Sequence, residues 1–121
     1  MDMFDLVRKA FPNGDMTHWS EVNGLPSTAV QDLIDNKNVE VLAITLDRST
    51  ILRNQYHVIF EVDGYFVYGR ICDAMEGCGY DMYAALFTVV PSTDTQWYSE
   101  KVNTMLRVFS NAEVEYEYNN H

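Results

Sequence analysis

The fold is decided by the stretch YHVIFEVDGYFVYGRI, residues 56–71, in which an Asp-Gly pair separates two alternating segments. Asp-Gly favours a two-residue hairpin turn, because that turn requires positive φ at both central positions. A turn at Asp63-Gly64 makes one face of the hairpin, the first face, apolar or aromatic throughout. Its cross-strand pairs are Val62 with Tyr65, Phe60 with Val67, Val58 with Gly69 and Tyr56 with Ile71.

The opposite side of the hairpin, the second face, is mixed and rich in aromatic residues. Its pairs are Glu61 with Phe66, Ile59 with Tyr68 and His57 with Arg70. This face is too apolar to be freely solvated, so we expect something to cover it. If a helix of the same chain does so, the hairpin is scaffold; if all helices lie on the first face, this is where a partner docks.

Patterns on either side of the hairpin predict three helices and further strands. Apolar spacing and stop signals indicate helices near residues 2–11, 28–34 and 93–109, the last two opening on capping boxes of Thr28 with Gln31 and Thr93 with Gln96. Strands are predicted at 39–46, 51–62, 82–90 and 113–118. Residues 15–26 show no periodicity, and we expect a loop anchored by Trp19 and Val22.

This order of elements predicts an α+β fold. We expect one domain, residues 1–121, with a mainly antiparallel sheet of four to five strands around the central hairpin and two to three helices packed on one face. A chain of 121 residues buries enough surface to fold without a stabilising disulfide or metal ion.

The charge of the chain restricts its partners. With 18 acidic and 8 basic side chains the net charge is -10, which argues against direct binding to nucleic acid. An acidic surface instead steers association with a basic protein, although the same charge also serves solubility. No apolar run reaches membrane-spanning length and no secretory signal is recognisable, so we expect a cytoplasmic protein without membrane contact.

Two cysteines, Cys72 and Cys78, flank a loop rich in glycine and acids. Five residues separate them, which does not fit zinc-binding spacing, and we expect reduced thiols with neither metal nor cofactor. A small hydrolase-like enzyme is one alternative. It would use His57 and Cys72, which the hairpin register places on one face, together with the loop acids Asp73, Glu76 and Asp81. No nucleophile motif supports it, and a buried structural cysteine is the ordinary case.

The residues expected to bind a partner are tyrosines and acids. Glu113, Glu115 and Glu117 alternate along the last strand, which predicts a ladder of carboxylates about 6.6 Å apart on one face. Such a ladder can imitate a nucleic-acid backbone, or it can protect a sheet edge from aggregation. The full set is Tyr65, Tyr68 and Tyr80 as anchors and Asp73, Glu76, Asp81, Glu113, Glu115 and Glu117 as charge donors.

Size, charge and the missing catalytic motifs together favour a small inhibitor or binding protein that is not an enzyme. We expect it to neutralise a basic enzyme that handles nucleic acid, by steric and electrostatic occlusion. Phage anti-CRISPR and anti-restriction proteins and immunity proteins against toxin nucleases are of this class; a phage-encoded member would act in the cytoplasm of a bacterial host. A third alternative is a structural or assembly protein that uses the second face to form a homodimer or larger homo-oligomer.

Overall fold

The computed structural model describes residues 2–47, 55–72, 82–108 and 113–117; for β7 it describes the backbone. Helices and strands alternate irregularly along the chain. In order they are α1 (Met3–Ala10), β1 (Asp15–His18), β2 (Glu21–Leu25), α2 (Ala29–Asp35), β3 (Val39–Asp47), β4 (Gln55–Val62), β5 (Tyr65–Cys72), β6 (Met82–Pro91), α3 (Thr95–Val108) and β7 (Glu113–Glu117).

The strands form one sheet in the order β1-β2-β6-β5-β4-β3-β7, and all neighbours are antiparallel. The predicted α+β class and antiparallel sheet are confirmed. The predicted number of strands, four to five, is too low, because the sheet has seven. Strands β1 and β2 account for most of the difference, since they occupy the segment that was expected to be a loop.

The β1–β2 hairpin turns at Trp19 and Ser20 and pairs with the rest of the sheet through β2 alone. Buried and exposed residues do not alternate cleanly along these strands. Strand β1 is mostly exposed, and the register shifts in both of the ladders that β2 makes. The predicted anchors do pack as expected. Val22 is fully buried, and Trp19 packs partly buried against the same core.

The central hairpin, β4–β5, has the predicted register in every pair from Val62 with Tyr65 to Tyr56 with Ile71. Asp63 and Gly64 adopt φ values of 52° and 80°, as a two-residue hairpin turn requires. The Asp63 carboxylate also forms an ion pair with Lys9, which attaches the end of α1 to the turn.

Helices α1 and α2 cover the first face of the sheet. Asp2 caps α1, since its Oδ1 accepts a hydrogen bond from the Phe4 amide at 2.9 Å. The residues that these helices bury against the sheet are Leu6, Val7, Ala10, Ala29 and Leu33.

The predicted capping box at the start of α2 is wrong. Thr28 occupies the cap position but makes no side-chain cap bond; its hydroxyl instead donates to the Asp32 carboxylate at 2.9 Å.

Helix α3 lies on the second face, so the helices do not all pack on one side of the sheet as predicted. Phe66 stacks against Trp97 and Tyr98, with ring centroids 6.2 and 5.0 Å away. Met105 is buried in the same cluster with Leu42 and Ile59. The second face is therefore partly covered by the chain itself.

The N-terminus of α3 is capped by a different residue from the one predicted. The Oδ1 atom of Asp94 accepts from the Trp97 amide at 3.0 Å, in the role that the sequence pattern assigned to Thr93.

Candidate interaction surface

Among the described residues, helix α3 covers only part of the second face. The cluster under α3 ends at Tyr68, which packs partly buried against it. Beyond Tyr68, on the same face of β5, lies Arg70, and the neighbouring strand β6 contributes Phe87. We call Tyr68, Arg70, Phe87 and Lys101 the Phe87 patch.

A β-bulge presents Phe87 on this face. Tyr68 pairs with Thr88, but the next residue, Gly69, pairs with Leu86, so Phe87 is an extra residue in β6. An added Cβ at Gly69 would lie 2.6 Å from the Ala85 carbonyl oxygen. It would also lie 2.7 Å from Cδ2 of Leu86. The bulge therefore requires glycine on the facing strand.

Phe87 is 49% exposed and is the one strongly exposed large apolar side chain in the described part of the chain. Its ring centroid is 5.5 Å from that of Tyr68, and the Arg70 guanidinium carbon is 5.8 Å from it. Phenylalanine, tyrosine and arginine are the residue types enriched at the centres of protein interfaces. The bulge thus creates a small exposed surface with the composition of an interface core.

Arg70 is held in place from two sides. Its Nη1 donates to Oε1 of Gln55 at 3.3 Å, and its guanidinium stacks on Phe87. Its Nε is buried and has no hydrogen-bond acceptor within the described residues. A partner cannot reach this buried Nε, and the donors of Arg70 that can serve a partner are the Nη N–H groups that do not bind Gln55.

Lys101 brings a second cation to the Phe87 patch from α3. Its Nζ lies 4.6 Å from the Tyr68 ring centroid and 6.0 Å from that of Trp97. The ion pairs found among the described residues are Arg8 with Asp5 and Lys9 with Asp63, and neither involves this patch. The patch is therefore cationic, although the chain as a whole carries a charge of -10.

Tyr68 connects the exposed patch to the interior. Its hydroxyl lies 3.2 Å from Nδ1 of His57, which is only 8% exposed, and the two rings stack. Burial raises the pKa of Tyr68, and the positive charge of Arg70 opposes that shift. Tyr68 is thus neutral at physiological pH.

The predicted anchors do not share one surface. Tyr68 is in the Phe87 patch, whereas Tyr65 lies on the first face and packs against the α1–α2 core. The remaining predicted loop residues, Asp73, Glu76, Tyr80 and Asp81, lie outside the described residues.

The three predicted charge donors of the last strand are in β7, at an edge of the sheet. Five residues of β7 span four residues of β3, because the register shifts between Ile44 and Thr45. Glu113 pairs with Leu46 and Glu117 with Ala43, which are positions of opposite faces. The backbone register therefore places Glu113 and Glu117 on opposite faces of the sheet. The prediction had all three glutamates on one face.

The residues of the enzyme alternative are only partly described. Cys72 is a free thiol with no exposed surface, and His57 is also largely buried. Both lie on the second face, as the register predicted. Among the described residues, no group of three His, Cys, Asp or Glu side chains is arranged to hold a metal ion.

A cleft of about 360 Å³ lies between α1 and α2 and is lined by polar and apolar residues. Several of its polar groups already bind within the chain. Asn36 donates to the Lys9 carbonyl at 2.8 Å, and the Asp32 and Asp35 carboxylates accept from Thr28 and Gln31 at 2.9 and 3.0 Å. The Asn36 bond joins the end of α2 to α1, and the two carboxylate bonds stabilise α2 itself, so the cleft has a structural role.

Phe87 was not predicted as a functional residue, because the sequence pattern indicates an ordinary strand at 82–90. The signal that could have found it is Gly69, since a glycine inside a strand often marks a bulge or a close backbone approach.

The described helices include none with both the length and the apolar character needed to cross a membrane. No protein-family model matches this chain, and no curated protein or solved structure shows significant similarity to it.

Proposed function

We propose that this protein acts by binding another protein, with the Phe87 patch at the centre of the interface. The observation that carries the proposal is the exposure of Phe87 on a bulge beside Tyr68 and Arg70. A bulge changes the direction of a side chain. The close approach of β6 leaves no room for a side chain at Gly69 on the facing strand. An aromatic ring held in solvent by such a device is well suited to insertion into a partner.

We further propose that the partner is a basic enzyme that handles nucleic acid and that binding neutralises it by occlusion. The net charge of -10 supports this part, because an acidic protein is attracted to the basic surface with which such an enzyme holds phosphates. The edge position of β7 supports it as well, since a strand with three glutamates borders the sheet.

The cationic patch and the acidic chain have different roles in this proposal. Long-range attraction depends on the summed charge and sets the association rate, whereas the aromatic centre sets how long the complex lasts. Added salt should therefore slow association, and truncation of Phe87 should mainly speed dissociation.

Affinity capture tests the proposal. The full chain, immobilised, is used to capture proteins from a lysate of its native host, and the captured protein is then purified for titration calorimetry. We expect Phe87→Ala to raise the Kd about 30-fold or more, as loss of a central aromatic anchor does. Thr17→Ala, an exposed change on the edge strand β1, is the control and should leave the Kd unchanged.

An unchanged Kd for Phe87→Ala would overturn the proposal. Light scattering on the purified protein supplies a second check. A stable dimer that dissociates in Phe87→Ala would assign the patch to a homomeric interface instead, and would also overturn it.

A further inference from the structure

Arg70 and Lys101 are two cations that the chain does not neutralise within its described part, despite its excess of acids. Arg70 donates one hydrogen bond to the neutral side chain of Gln55, and its guanidinium packs against the Phe87 ring. These contacts fix the orientation of the side chain before a partner binds. A positioned guanidinium loses little freedom when it binds an anion.

The two cations lie against neighbouring aromatic rings, Arg70 against Phe87 and Lys101 against Tyr68. Arg70 is two residues along β5 from Tyr68 on the same face, which places their backbones about 6.6 Å apart, and the Lys101 ammonium lies over the Tyr68 ring. Phe87 contacts Tyr68 and Arg70 from the neighbouring strand. An anion seated here would meet a planar donor group, a point charge and an apolar wall.

We infer that the Phe87 patch recognises a carboxylate side chain of the partner protein that is next to an apolar side chain. Arg70 binds the carboxylate through its planar donors, Lys101 adds a point charge, and Phe87 packs against the apolar neighbour. This inference rests on the proposed function, because it names the group of the partner that occupies the centre of the interface.

A carboxylate at the centre is compatible with a basic partner. Enzymes that cleave or copy nucleic acids hold their catalytic metal ions with carboxylates, inside the basic surface that binds phosphates. Such a site has two parts, the carboxylates and the basic surface around them. A cationic patch is complementary to the first, and an acidic protein is complementary to the second. The patch would contact the metal-binding carboxylates, while the net negative charge of the rest of the chain favours the basic rim.

A peptide titration followed by NMR tests the inference on the full chain. The probe is the capped tripeptide acetyl-Leu-Asp-Leu-amide, and the matched peptide has Asn in place of Asp. We expect saturable shifts at the Arg70 guanidinium and the Phe87 ring, with the Asp peptide binding about tenfold more tightly than the Asn peptide. Equal affinity for the two peptides, or no saturable shift, would overturn the inference.

Substitutions locate the site. Arg70→Gln and Lys101→Gln should each weaken binding of the Asp peptide at least fivefold. Arg8→Gln and Lys37→Gln, equivalent losses of exposed cations elsewhere, should not. Circular dichroism confirms that each variant is folded. Inorganic phosphate is the competing probe, and shifts at Arg70 with phosphate but not with the Asp peptide would overturn the choice of carboxylate.

Failure of the inference and failure of the proposed function give different results. Loss of partner capture in Phe87→Ala without peptide binding overturns carboxylate recognition alone. Peptide binding with unchanged capture in Phe87→Ala overturns the proposed function alone, because the captured protein then binds outside the Phe87 patch.

Discussion

Gly69 and Phe87 depend on each other across β5 and β6, because the strand that carries the extra residue passes too close to β5 for any side chain at position 69. The bulge and the glycine therefore form one unit. Its product is an exposed aromatic ring between a tyrosine and an arginine.

Gly69→Ala should destabilise the fold. The new Cβ would meet the Ala85 carbonyl oxygen at 2.6 Å, and this atom belongs to the backbone, so the strands must move apart. We expect the free energy of unfolding to fall by about 1–3 kcal/mol, as overpacking does in a close-packed interior. Urea denaturation measures it.

Gly64→Asn is the matched control for that change. Gly64 has a φ of 80° and open space where a Cβ would stand, and asparagine tolerates this conformation better than most residues. Its effect should be smaller than that of Gly69→Ala. The reverse order would contradict the close approach at Gly69.

Asp94→Ala should destabilise α3, because the Asp94 carboxylate accepts the hydrogen bond of the Trp97 amide. Loss of a cap of this kind lowers the free energy of unfolding by about 0.5–2 kcal/mol. Thermal denaturation of Thr93→Ala provides the comparison. If Thr93 were the cap, as the sequence pattern indicated, that variant would show the larger loss.

Glu40→Lys should stabilise the sheet. Glu40 and Glu61 are directly paired across β3 and β4, and like charges in such a pair repel each other. An opposite-charge pair should raise the free energy of unfolding by about 0.2–1 kcal/mol, and added salt should diminish the gain. Glu40→Gln, which removes the repulsion without adding attraction, should fall between the two. Wild type as the most stable of the three would contradict the prediction.

Ionisation of Tyr68 should destabilise the protein at high pH. Burial raises the pKa of Tyr68 in the folded state, so this residue stabilises the fold fully below the ordinary tyrosine pKa of about 10. That contribution is lost as the pH rises through the folded pKa. Tyr68→Phe should therefore lose less stability than wild type in urea denaturation above about pH 10.

Arg70→Gln tests the electrostatic effect of Arg70 on the pKa of Tyr68, which opposes the effect of burial. The charge of Arg70 lowers the pKa of Tyr68, so its removal should raise that pKa further. A ¹³Cζ titration of Tyr68 by NMR measures the change. A lower pKa in the variant would contradict the assigned electrostatic contact.

The central hairpin could be predicted from sequence because its information is local. Asp63-Gly64 sets the turn, the turn sets the register, and a strict alternation then assigns every side chain to a face. The helices α1 and α3 were predictable for a similar reason, since apolar spacing and stop signals lie within each segment.

The features that escaped prediction depend on distant partners. The β1–β2 hairpin has little alternation of its own and becomes part of the sheet by pairing with β6. The side on which α3 packs depends on the contact of Trp97 and Tyr98 with Phe66, which no local pattern specifies. The exposure of Phe87 depends on the approach of β5 to β6. The candidate site was accordingly predicted in part, through Tyr68, while its central residue was missed.

The strand order also has a consequence for how the chain assembles during synthesis. Strand β2 lies beside β6, so Val22 cannot be shielded by the sheet until Ala84 has emerged from the ribosome. The outer side of β3 stays unpaired until β7 has been made. The sheet can therefore grow outward from the hairpin at Asp63-Gly64, with both flanks completed last. Pairings between such distant segments fold slowly, on the order of milliseconds to seconds, and each flank has an unprotected strand edge until β6 or β7 has been made.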